Sequence, residues 1–449
     1  MNRYLLARNV TPVFLALMVT PGARCGDAVD RIQVGTNVQV SDTRKDIAHY
    51  EVVIAASPKA AKNLVVASMA SASPKDPDLH EVATFTSCDC GKTWKLARVQ
   101  NAQAKNETYA DPHLAYGADG SVYMVTLRCN YNSLKGRNTE LDRSQDGGKT
   151  WDPPVLLPYT DRPFLVTDGS GGQRDGLIAC FANSFWEPVV AVSRNRGKSF
   201  SAWKSLLKTK APYGMGNGVR LSNGTLVVAY PLKVMGERQP LPLGLTTARS
   251  TDGGQSYRET PIIARYICPG QFGLPSLAAD PASLPYKDRL YLVWAEQTPK
   301  GLRVWLSRSR DRGETWSKPV LLSEQSGEGD TAKNYDSFLS AVAVNKAGVV
   351  GVMWYDSRDL PAKRQGWNIR FRASLDGGET WLPSVRVTEK ASLFKQRPAY
   401  LSTRAGDTAG LVADGDGVFH AAWVDNRTGV RQIWTAAIRV GQRRIPVSD

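Results

Sequence analysis

Histidine is scarce in this chain: four residues in 449, at His49, His80, His113 and His420, too scattered to form a metal-binding constellation. Long apolar runs are missing as well. The most apolar stretch near the start, Val13 to Val19, is seven residues long, too short to span a bilayer. No block of five or six like charges occurs and no nucleic-acid-binding motif is visible, which argues against a nucleic-acid partner. No convincing amphipathic helix interrupts the chain. Cysteine is limited to six, and Cys88 and Cys90 lack the second pair or nearby histidine that a zinc site requires. No cofactor is expected, and no metal.

Residues 1–28 have the order of a secretory signal: Arg3 and Arg8, then the apolar run, then Gly26-Asp27-Ala28 as a small-residue cleavage site before Val29. The expectation is a periplasmic or secreted protein whose mature part, 29–449, is one domain. Loss of the leader leaves five cysteines, an odd number, and lowers the formal charge from +15 to +13. Such a surface favours anionic partners, acidic carbohydrate above all; a protein partner is the other possibility.

Short runs rich in Val, Leu, Tyr and Trp recur between Gly, Asp and Asn, the pattern of an all-β chain. One unit repeats along it. Ser374-Leu-Asp376-Gly-Gly378-Glu-Thr380-Trp381 has the form Ser-x-Asp-x-Gly-x-Thr-Trp, and it returns at Ser87, Ser144, Ser250 and Ser309. A divergent copy starts at Ser193, with Asn195 and Phe200 in place of Asp and Trp. Asp accepts backbone hydrogen bonds that close a tight turn, and Gly supplies the positive φ the turn needs. Successive serines lie 57, 49, 57, 59 and 65 residues apart, a period that means a repeat architecture.

These stretches resemble the Asp-box of bacterial neuraminidase repeats. The resemblance implies a β-propeller, with the boxes on its outer rim. Each repeat reads as four antiparallel strands, one propeller blade. Three further strands follow Trp381 without a box. The segment Ile32-Gln-Val34 through Val38-Gln-Val40 reads as the missing fourth, so the expected fold is a single seven-bladed β-propeller closed by its N-terminal strand. A six-bladed ring, as in neuraminidases, is the alternative.

Polar residues at the starts of first strands and the ends of second strands are the functional candidates, because those positions share one face. In chain order they are Glu51, Asp111, Arg128, Asp161, Arg162, Asn217, Tyr230, Glu296, Tyr335, Asp336, Tyr355, Asp356, Arg358, Asp407, Asp425 and Arg427. Trp354-Tyr-Asp356-Ser-Arg358 and Trp423-Val-Asp425-Asn-Arg427 repeat one pattern. Either each Asp–Arg pair braces its own loop, or the guanidinium forks face the channel mouth and bind a carboxylate. The neuraminidase resemblance implies the second arrangement: Arg162, Arg358 and Arg427 as a carboxylate clamp, Tyr335 as nucleophile, Glu296 as its base and Asp111 as acid. Tyr355, Asp356 and Asp425, at second-strand ends on the same face, are expected beside the substrate. The sequence departs from that family in lacking Phe-Arg-Ile-Pro. The function expected is thus an exported sialidase-like glycoside hydrolase acting on sialic acid or another acidic sugar. A non-catalytic propeller binding an anionic glycan or protein is the second possibility. A polysaccharide lyase using Arg358, Tyr355 and His113 is the third.

Overall fold

A computed structural model describes residues 31–441 apart from 74–75, 102–106, 131–135, 168–175, 185–186, 207–213, 234–241, 269–272, 281, 324–333, 362–363 and 395–404. The expected leader lies outside the described residues, as does the stretch 168–175, whose oxygen-bearing side chains read in the sequence as a turn because they lack the Gly and Glu placement of a calcium loop.

The strands form seven antiparallel sheets, each with four strands in its main path. The first strand of each lines the axis: His49–Ala56, Glu107–Tyr116, Asp161–Thr167, Gly218–Arg220, Ser276–Ala279, Ser337–Val344 and Gly410–Ala413, which number blades 1 to 7. Each of these inner strands touches the next, and blade 7 touches blade 1, so the ring is closed. This is the seven-bladed propeller.

Closure comes from the chain's beginning. Ile32–Val34 pairs antiparallel with Gln432–Val440, Ile32 opposite Val440 and Val34 opposite Ile438. Val38–Gln39 pairs further along the same strand. Buried Gln432 locks this seam, its amide donating to the Lys45 and Ile47 carbonyls while its oxygen accepts from the Ser41 hydroxyl. A ring tied by backbone pairing of its two ends leaves no blade open at the seam.

Second strands are the most buried elements, since sheets cover both their faces. Val350–Asp356 and Phe419–Asp425 are buried along their full length. Their Trp, Tyr, Val and Met side chains fill the spaces between blades.

The repeated eight-residue turns join third to fourth strands at the outer edge. In the turn at Ser374, the serine hydroxyl donates to Asp376 Oδ1 at 2.8 Å and accepts from the Gly378 N–H at 2.8 Å. Asp376 in turn accepts from the Glu379 and Thr380 N–H groups at 3.0 and 2.9 Å. Gly378 has φ +84°, and a Cβ there would stand 3.0 Å from the Tyr291 ring of blade 5. The glycine therefore serves both the turn and the close approach of the neighbouring blade. The divergent turn keeps the scheme with Asn195 Oδ1 accepting from Ser193 and from the Ser199 N–H.

Candidate functional site

Four inner strands carry the same irregularity near their first residues. The pairing with the second strand slips between Tyr50 and Val53 in blade 1, Ala110 and His113 in blade 2, Asp161 and Phe164 in blade 3, and Phe338 and Ala341 in blade 6. The first residue inside each bulge has positive φ: Glu51 49°, Asp111 51°, Arg162 50° and Leu339 47°. Non-glycine residues seldom adopt this conformation, and bulges re-aim the side chains they carry. In blade 7 the comparable place is taken by Gly406 at φ +79°, followed by Asp407.

The result is a cavity of about 210 Å³ at the axis, walled by residues from every blade. Its polar wall comes from blades 7, 1, 2 and 3: Asp407, Glu51, Asp111, His113 and Arg162. The opposite wall is largely apolar, with Met215, Leu274, Pro275 and Leu339 from the blade 4, 5 and 6 sides. Arg162 forms an ion pair with Asp407, and the Arg162 N–H donates to Asp111 Oδ2 at 3.2 Å. Their side chains keep a small opening to solvent, 17% for Arg162 and 6% for Asp407.

Four carboxyls around one guanidinium cannot all ionise freely, and their environments separate them. Burial, followed by the charges of Asp407 and Asp111, drives Glu51 well above the usual carboxylate range. Burial, then the charges of Asp161 and Asp407, lifts Asp111 to about 7. Asp161, exposed at the rim, is also raised by desolvation and by Asp407 against the pull of Arg162. Asp407 goes the other way. Burial alone would raise it, but Arg162 and hydrogen bonds from Glu51 and Arg162 hold it below the ordinary value. The surroundings thus favour the protonated form of Glu51 and Asp111 and the ionised form of Asp407.

His113 adds a neutral donor. Its Nδ1 accepts the Leu165 N–H at 3.2 Å, so the ring proton sits on Nε2. Burial lowers its pKa to about 4.

Of the nine residues expected to carry the site, the structure brings Asp111 and Arg162 together at the cavity. The other seven are not among its wall. Arg358 forks onto Asp356, Nε to Oδ1 at 2.9 Å and Nη2 to Oδ2 at 3.0 Å, with the side chain 7% exposed. Arg427 closes onto Asp425 in a related way, Nε and Nη2 both donating to Oδ2 at 2.8 and 2.6 Å while its backbone N–H donates to Oδ1 at 2.8 Å. Each aspartate also accepts an indole N–H two residues back, Trp354 at 2.7 Å and Trp423 at 3.1 Å. The repeated Trp-x-Asp-x-Arg pattern thus forms a latch at the end of a second strand. The buried Tyr355 hydroxyl accepts the Val424 N–H at 2.9 Å, tying blade 6 to blade 7. The Tyr335 ring is packed between Arg303 and Arg358, 3.8 and 4.5 Å from its centre. Glu296 stands in the second strand of blade 5, raised by its burial and bonded by the Ile267 N–H. Glu51 and Asp407 complete the cavity's carboxyl cluster; Glu51 lies in the blade 1 inner strand and Asp407 three residues before the blade 7 inner strand, the position by which the sequence places both among its candidates.

No protein-family model matches the sequence, and no curated protein matches it. Solved structures do. A protein of unknown function from Dyadobacter fermentans superposes with a TM-score of 0.53 at 12% identity, over 92% of this chain and 100% of that one. A Hadza microbial sialidase gives 0.46 at 15% identity, over 80% of this chain and 73% of that one. An α-L-arabinanase from Penicillium chrysogenum, complexed with arabinobiose, gives 0.48 at 17% identity, over 72% and 94%. Identities this low speak to the fold alone. No helix among the described residues is long and apolar enough to cross a membrane.

Proposed function

We propose that the protein is a glycoside hydrolase, exported by its N-terminal segment, whose chemistry is carried by the carboxyl cluster of the axial cavity. One observation carries this reading: Glu51, Asp111 and Asp407 converge on Arg162 in a cavity that opens to solvent, in surroundings that favour the protonated form of the first two and the ionised form of the third. Cleaving a glycosidic bond needs that pair, one carboxyl to protonate the leaving oxygen and one carboxylate to activate water or attack the anomeric carbon. Asp111, lifted to about 7, is the acid best matched to neutral pH. Asp407, kept ionised by Arg162, is its partner, and Glu51 is hydrogen-bonded between them. The apolar wall suits the C–H face of a sugar ring.

The tyrosine scheme implied by the neuraminidase resemblance calls for Tyr335 and Glu296 at the reacting centre. Because neither lines the cavity, the proposal rests on the carboxyls instead. The test is turnover of a panel of aryl glycosides by the wild type, Asp111→Asn and Asp407→Asn. Each variant is expected to lose about 10²–10⁴-fold in kcat, the usual scale for removing a general acid or base. A folded double variant that still hydrolyses the best substrate at the wild-type rate would overturn the assignment.

A further inference from the structure

The chain as a whole is strongly basic, +15 over its full length, yet the cavity is not. Among the described residues that wall it, Arg162 is the one cation, facing Glu51, Asp111 and Asp407, with the exposed Asp161 near enough to act on Asp111 and Arg162 by its charge. That cation is already engaged: its guanidinium holds Asp407 and its backbone N–H holds Asp111. The arginines expected to join it in gripping an acidic sugar, Arg358 and Arg427, are closed onto Asp356 and Asp425. His113 offers an N–H without a charge, because its Nδ1 is occupied by the Leu165 N–H.

We propose that the sugar accepted in this cavity is uncharged, and that Asp407 and Asp161 exclude acidic sugars. The proposal rests on the glycosidase reading above and names its substrate class. A carboxylate on the ligand would enter beside Asp407 with no free guanidinium among the described residues of the wall to receive it. A neutral ring meets hydrogen-bond acceptors on Asp407 and Asp111, a fixed donor on His113, and an apolar floor at Met215 and Leu274. Like charges about 5 Å apart in a partly desolvated site disfavour binding by at least about tenfold. The basic surface plays no part in this discrimination, since charges beyond about 8–10 Å are screened at physiological ionic strength.

The experiment uses the full mature chain and matched probes: p-nitrophenyl glucoside against glucuronide, galactoside against galacturonide, together with arabinoside, xyloside, mannoside and N-acetylneuraminate. Affinity is measured by calorimetry or competition, and turnover by nitrophenolate release. The expected result is that a neutral glycoside binds best and exceeds any uronate of the same ring by about tenfold or more. Asp161→Asn should narrow that gap several-fold, read as the ratio of neutral to uronate affinity for one pair of probes in wild type and variant. Tighter binding of a uronate or N-acetylneuraminate than of every neutral probe overturns the inference but leaves the glycosidase reading standing if that probe is hydrolysed. A gap that Asp161→Asn does not move overturns the role given to the rim charge. Neutral binding without turnover supports the inference and removes the hydrolase. Binding of no probe at all overturns both.

Discussion

Replacing Asp111 by Asn should make the protein more stable at alkaline pH, although it removes the proposed acid. Asp111 has a raised folded-state pKa, so the sign is fixed by linkage. Below its ordinary value of 3.8 both folded and unfolded chains hold the proton, and the buried carboxyl carries no charge penalty. As pH climbs from 3.8 toward about 7 the unfolded chain ionises first, and stability drains away until the folded group has also lost its proton. A displacement of that size corresponds to roughly 4 kcal/mol at 1.36 kcal/mol per pH unit. Because Glu51, Asp161 and Asp407 share the same protons, the gain visible on removing one member should be about 1–4 kcal/mol. Asn suits the position in other ways. It tolerates positive φ, here 51°, better than most residues, and its amide oxygen can still accept the Arg162 N–H. Urea unfolding of wild type and variant at pH 4.5 and pH 8 makes the comparison. The two should agree within about 1 kcal/mol at pH 4.5, with the variant ahead at pH 8. Stabilities that fall in parallel between those pH values would refute the electrostatic account of the cavity.

Asp425→Ala should cost about 3–5 kcal/mol, since it leaves the buried Arg427 guanidinium and the Trp423 indole without their shared acceptor. Ligand affinity should persist in the protein that remains folded; calorimetry showing lost affinity at full stability would place Asp425 in the site. Asp376→Ala should cost on the order of 1–3 kcal/mol through its lost turn bonds. Thermal melts should register that cost with kcat unchanged, and a dead but fully stable variant would contradict a purely structural turn. Deleting residues 29–45 removes the strands that pair with Gln432–Val440 and unpairs Gln432, so the truncated chain should aggregate or melt far below the full one. Identical melting curves would rule out this closure.

The sequence alone determined the repeats, the blade count and the closing strand. The reason is locality: each Ser-x-Asp-x-Gly turn satisfies its hydrogen bonds within eight residues, as at Ser374, so its chemistry is written in consecutive letters. The closing strand was legible because Ile32-Gln-Val34 has the pattern of other fourth strands, and a sheet short of one strand has a single vacancy to fill. The latches were half legible. Trp-x-Asp-x-Arg is visible as a pattern, but whether its arginine faces a ligand or its own aspartate depends on side-chain packing that spacing does not encode. The cavity was decided by tertiary structure. Arg162 and Asp407 are 245 residues apart, and nothing local ties one to the other. What joins them with Glu51 and Asp111 is the closed ring: bulges in the inner strands of blades 1, 2 and 3 turn Glu51, Asp111 and Arg162 onto the axis, and the segment leading into the blade 7 inner strand brings Asp407 to them. The protonation pattern follows only then, because burial and the mutual charge of the carboxyls exist only after blades 7, 1, 2 and 3 are brought side by side.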